Sequence, residues 1–143
     1  MAQPNITFLN QTKTQGEKDF DYLLDLVAHE YTKNKRLLIF CETDAQMLTL
    51  DEALWQLAPE RFLAHATIKE PTHTKAPIVL TVNEIPLQQG FSCCINLQPL
   101  ALIPWPNIPQ IYEFVPMEAI SKQKARDKFK AYSLAGIRPQ FKN

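Results

Sequence analysis

A chain of 143 residues is about one domain long and can bury roughly 68–70% of its unfolded surface, so a true core is expected. Its apolar fraction of 45% and charged fraction of 21% exclude disordered and fibrous classes, and a formal net charge of zero argues against a broad surface that coats DNA regardless of sequence. The neutrality conceals a polarised chain: residues 121–143 hold seven Lys/Arg against one acid, Asp127, a net +6, which leaves residues 1–120 at −6.

The opening "MAQPNITFLNQTK" has neither the basic nor the apolar region of a secretory signal, and no run of about 18 apolar residues is present to span a bilayer, so a cytoplasmic protein is expected. In chain order, "ITFL" (6–9) reads as a strand. An amphipathic run from Glu17 to Lys33 follows, with Phe20, Leu23, Leu24, Val27 and Tyr31 on one face, and then "RLLIFC" (36–41) as a second strand. A second helix begins near Asp44, which is placed as its N-cap, and Pro59 marks its end or the start of another turn. This βα alternation predicts a parallel core sheet. "APIVLTV" (76–82) and "FSCCINL" (91–97) read as strands joined through "NEIPLQQG", a short connection that predicts an antiparallel addition. Four prolines in "QPLALIPWPNIP" (98–109) forbid a regular helix or central strand. "QIYEFV" then reads as a strand, with Pro116 ahead of a final helix that Gly136 can terminate. The whole, residues 1–143, reads as one α/β domain.

That alternation invites a nucleotide-binding reading, but the three glycines, Gly16, Gly90 and Gly136, stand in neither a GxGxxG nor a GxxxxGK[ST] context. Cys41, Cys93 and Cys94 show no CxxC and no ligand spacing to His29, His65 or His73, and read as structural thiols in a reducing compartment. Asp51 and Glu52 point about 100° apart on a helix and so do not converge as an acid–base pair. Ser92 with Cys93, or Cys41 with a distant His, has no supporting motif as a nucleophile and base. No cofactor, metal or catalytic residue is expected.

Two features remain. Trp55 and Phe62 are either core aromatics or an exposed pair that anchors a partner chain. In "SKQKARDKFKAYSLAGIR" (121–138), Lys122, Arg126 and Lys130 recur at i, i+4, i+8 and form one stripe with Phe129 beside it, while Lys124 and Lys128 form a second row about 200° around. The cations are either solvated faces or a site for an anion. Lys/Arg interleaved with aromatics is also a signature of direct single-stranded nucleic-acid binding by the basic C-terminal helix, the alternative function.

"LLIFCETDAQMLTLDEALWQLAPERFLAH", followed by "EFVPMEAISKQKARDKFKAYSLAG", resembles the chi subunit family of bacterial DNA polymerase III holoenzyme over about residues 4 to 138. The resemblance implies a single Rossmann-like three-layer α/β domain with a largely parallel mixed central sheet and no nucleotide-binding loops. It also implies a non-catalytic accessory role: one surface binds the psi subunit and so the clamp-loader complex, and another captures the acidic C-terminal tail of single-stranded DNA-binding protein. Carried onto this chain, the tail pocket is Lys122 and Arg126 as cationic contacts, Val115 and Phe129 as apolar wall, and Lys130 nearby. Such a tail ends in acidic residues, an aromatic and a free carboxylate, so a guanidinium beside an apolar slot suits it, each charge-assisted hydrogen bond contributing about 1.5–3 kcal/mol. The psi-facing surface would use Trp55 and Phe62, the region that other members use for a helicase-like partner.

Overall fold

The strand expected at 6–9 forms as β1 (Asn5–Asn10) in a computed structural model that describes residues 3–10, 21–33, 36–57, 62–82, 90–104, 106–115 and 119–142. The first helix is α1 (Asp21–Tyr31), held inward by buried Leu23, Leu24 and Val27; the expected turn at 17–20 lies outside the described residues. β2 (Leu37–Phe40), α2 (Asp44–Trp55), β4 (Ile78–Thr81), β5 (Cys93–Asn96), β6 (Gln110–Val115) and α3 (Ala119–Leu134) fall where their patterns predict. Two short strands escape the periodicity reading: β3 (His65–Thr67), before β4, and β7 (Gln140–Lys142), which closes the chain. Three residues are too few to display a period of two.

These strands make one sheet in the order β3-β4-β2-β5-β6-β1-β7, and all six strand pairings are parallel. The expected antiparallel join between β4 and β5 is not made, and the sheet is not mixed among the described residues. β2 lies between the two strands, pairing Leu38 with Val79 on one side and with Cys94 on the other. The connection therefore crosses from one side of β2 to the other, and most of it, residues 83–89, lies outside the described residues. A parallel sheet covered on both faces wants unbroken apolar strands, and "IVLT" and "CCIN" are buried at every position.

Alternation along each strand divides the core into two layers. Leu37, Ile39, Ile78, Leu80, Cys93 and Ile95 face α1 and α2, where Met47, Leu50 and Leu54 meet them. Ile6, Phe8, Leu38, Val79, Cys94 and Ile111 face the opposite way, toward Tyr132 of α3 and Leu102 and Ile108 of the proline-rich stretch. The fold is thus a three-layer Rossmann-like sandwich. Described residues of 98–109 form neither helix nor strand, as their prolines require.

Local capping fixes the helix ends. α2 is capped by Thr43, not by Asp44: the Thr43 hydroxyl accepts from Gln46 N at 3.0 Å, and Asp44 is instead the first helical residue, its charge complementing the helix dipole. α3 ends as expected at Gly136, whose φ of 96° is open to glycine. Ile137 N donates to Tyr132 O and Gly136 N to Ser133 O, each at 3.1 Å, the pair of bonds that closes a Schellman turn. Ile137 and Tyr132 also share the core layer under α3, the apolar contact that accompanies such a turn. Pro116, expected ahead of α3, lies outside the described residues.

Candidate functional site

The chain leaves β1 for α1 on one face of the sheet and leaves β6 for α3 on the other. Where adjacent parallel strands send their connections to opposite faces, a crevice opens at their carboxyl ends, the usual ligand position in open α/β sheets. A cleft of about 300 Å³ lies there, with Asn10 and Val115, the last residues of β1 and β6, at its edge. Its floor is Phe8 and Ala125, both buried, and its walls are Phe129 of α3 and Phe141 of β7, both partly exposed. Phe8 and Phe129 stack obliquely with ring centroids 5.3 Å apart, so the wall of the cleft is packed onto the sheet.

Lys122 and Arg126 are the charged groups of the lining, and both are exposed. No ion pair engages either among the described residues, and Asp127 accepts instead from Gln123 Nε2 at 3.0 Å. An apolar slot with two available cations at its lip is suited to a ligand that joins an aromatic or aliphatic side chain to an anionic group. The structure therefore brings Lys122, Arg126, Val115 and Phe129 into one cleft. Lys130, a turn further along α3, is exposed but does not line it. Phe8, Asn10, Ala125 and Phe141 line the cleft without having been expected; the apolar alternation of Ile6 and Phe8 in "ITFL" was the one signal that Phe8 faces inward.

The second row of cations does not behave as spacing implies. Lys124 is exposed, but Lys128 turns inward: its side chain is 11% exposed and its Nζ lies 2.8 Å from Oε1 of Glu113, which is 0% exposed. Ala125, Lys128 and Tyr132, at i, i+3 and i+7, form the face that α3 lays on the sheet, and the long Lys128 stem is buried along with them. Glu113 also accepts from Tyr132 Oη at 2.6 Å and from Asn96 Nδ2 at 2.8 Å. Burial raises the Glu113 carboxyl above its ordinary range against the lowering effects of Lys128, Tyr132 and Asn96. Sequence reasoning missed this residue, although a glutamate at an inward position of "QIYEFV" was its signal.

Trp55 and Phe62 are not core residues. They are 59% and 53% exposed, with ring centroids 6.0 Å apart. Leu48, seven residues before Trp55 on α2, is exposed as well. Trp55 rests on the ring of His65 at 4.8 Å, and His65 is held by Leu63 O, 2.8 Å from Nδ1. Its Nε2 is 3.1 Å from Asp51 Oδ1, within ion-pair reach but misaligned for a hydrogen bond. This aromatic patch belongs to α2 and the approach to β3, on the face and at the sheet edge opposite to the α3 cleft.

Cys41, Cys93 and Cys94 are buried and in no disulfide, as structural thiols were expected to be. Burial raises the Cys41 thiol to about 12 and holds that of Cys94 well above its ordinary value, so neither supplies the thiolate that nucleophilic chemistry needs. Among the described residues, no three His, Cys, Asp or Glu side chains gather at metal-ligand reach, and no helix is long and apolar enough to cross a membrane.

Fold and sites together define a parallel α/β protein with two surface patches, one a cationic apolar cleft and the other an aromatic pair. The family model described as "DNA polymerase III chi subunit, HolC" matches residues 4–140, and the chain belongs to that family. It is 31% identical over 137 residues to the DNA polymerase III subunit chi of Escherichia coli (strain K12), covering 93% of each chain. The subunit chi of Haemophilus influenzae is 34% identical over 112 residues, 78% of each chain, and that of Pseudomonas aeruginosa 31% over 111 residues, 78% of this chain and 76% of the relative.

Proposed function

We propose that the protein is a non-catalytic accessory subunit of a cytoplasmic replicative DNA polymerase, and that it bridges two partners. The α3 cleft receives the acidic C-terminal tail of single-stranded DNA-binding protein, and the Trp55–Phe62 patch receives psi, which links the chain to the clamp loader. A helicase-like protein would compete with psi for the aromatic pair. DNA is reached only through the tail-bearing protein, and no membrane is involved.

The observation that carries this reading is the cleft itself, in which Lys122 and Arg126 stand at the lip of a slot walled by Val115, Phe129 and Phe141. Arg126 would take the terminal or acidic carboxylates as a planar fork, and the slot would take the aromatic side chain. Ordering a flexible tail offsets much of that interaction, which suits a tether that must exchange. Placement of the second patch on the opposite face supports simultaneous engagement of both partners.

The test is fluorescence anisotropy with a labelled acidic peptide that ends in phenylalanine and a free carboxylate. Binding is expected, with Arg126→Ala weakening it at least tenfold, or about 1.4 kcal/mol. Unchanged affinity in Arg126→Ala would rule out the assigned pocket. Tight binding to naked single strands with a steep salt slope would favour direct nucleic-acid binding instead.

A further inference from the structure

Glu113 is buried between the sheet and α3, and it gathers donors from three directions. Lys128 and Tyr132, one turn apart on α3, reach its two oxygens at 2.8 and 2.6 Å, and Asn96 of the neighbouring strand β5 reaches it at 2.8 Å. Tyr132 Oη in turn accepts from Leu102 N at 2.9 Å, and Asn96 Nδ2 also donates to Leu100 O at 3.0 Å, so the proline-rich stretch is tied to the same point. Its strand neighbours on that face, Ile111 and Val115, are both apolar. Nothing about covering a sheet with a helix demands a carboxylate there, since replacing a buried ion pair by apolar groups is often neutral or stabilising.

Directionality is what the carboxylate adds. Apolar contact alone is non-directional and permits a helix to roll on its sheet, whereas the two hydrogen bonds from Lys128 and Tyr132 fix the angle at which α3 sits, and the one from Asn96 holds the carboxylate itself. Lys122, Arg126 and Phe129 occupy the helix face beside Ala125, Lys128 and Tyr132, so the roll angle of α3 sets where the cleft's cations and aromatic wall point. With side-chain heads about 6 Å from a helix axis, a roll of about 20° displaces them by roughly 2 Å, enough to spoil hydrogen bonds to a ligand carboxylate.

We propose that Glu113, clamped by Lys128 and Tyr132, is the positioning residue of the cleft, aiming Lys122, Arg126 and Phe129 at the ligand without touching it. This rests on the cleft's being a receptor for an acidic peptide.

The experiment compares three full-length variants with wild type: Tyr132→Phe, the double Glu113→Gln/Lys128→Met, and Lys124→Met as an exposed control that removes one positive charge from the same helix. Two readouts are taken, the affinity for the acidic peptide ending in phenylalanine and hydrogen exchange of the α3 amides in the free protein. The double variant is expected to lose at least fivefold in affinity and to exchange faster over residues 122–129, while keeping the wild-type circular dichroism. Tyr132→Phe should move both readouts in the same direction by less, and serves alone if the double variant does not fold. Lys124→Met should stay within twofold. Clamp variants that bind within twofold of wild type, or a Lys124→Met loss as large as theirs, would overturn the proposal. If wild type itself does not bind the peptide, the receptor reading fails, and α3 exchange still decides whether Glu113 seats the helix: unchanged protection would overturn that as well.

Discussion

Lys128 donates from Nζ to Oε1 of Glu113 across 2.8 Å, in the seam between α3 and β6, where the glutamate is wholly buried. Removing one partner of such a pair leaves an uncompensated charge. Lys128→Met is therefore expected to destabilise the fold by about 3–5 kcal/mol near neutral pH, whereas Glu113→Gln/Lys128→Met should recover most of that loss. Urea unfolding of the single and double variants checks this, and equal stability of the two would contradict it.

The same pair predicts a pH dependence. Burial raises the Glu113 carboxyl, so the folded state binds its proton more readily than the unfolded chain does. Its contribution to stability is then fully present below the ordinary glutamate value of about 4.3 and is lost as pH rises through the raised value. Relative to Glu113→Gln/Lys128→Met, wild type should gain stability as pH falls from 7 toward about 4. Urea midpoints measured across that range test the sign, and a flat difference would mean that Glu113 titrates alike in both states.

Trp55 and Phe62 make an exposed aromatic pair with no part in the α3 cleft. Trp55→Ala or Phe62→Ala should weaken co-purification with psi by the 2 kcal/mol or more typical of aromatic anchors, while peptide affinity stays within about twofold. Loss of both activities at once would mean unfolding or a shared site, which thermal melts would separate.

Burial of Cys41 raises its thiol to about 12, so almost no thiolate is present at pH 8. Iodoacetamide should leave Cys41 unmodified in the native protein and alkylate it fully in denaturant, as read by mass spectrometry. Rapid native labelling would show that the carboxyl end of β2 opens to solvent.

Much of this protein was legible in the chain because its signals are local. The apolar runs of β2, β4, β5 and β6, the period of α1 and α2, the glycine that ends α3 and the concentration of cations after residue 120 all follow from the residues themselves. The helical stripe that joins Lys122 to Arg126 is likewise a matter of spacing. Tertiary structure decided the rest. Spacing says which cations share a row but not which row meets the sheet, so Lys128 went to Glu113 and not to water. Strand order put β2 between β4 and β5 and made every pairing among the described residues parallel, a choice that a short polar segment between two strand patterns does not reveal. Phe141 joined the cleft because β7 pairs with β1, and Trp55 was left outside because α2 turns Met47, Leu50 and Leu54 to the core, with Phe62 exposed beside it. Each of these depends on which surfaces meet, and burial, being non-directional, leaves that choice to the packing of the whole fold.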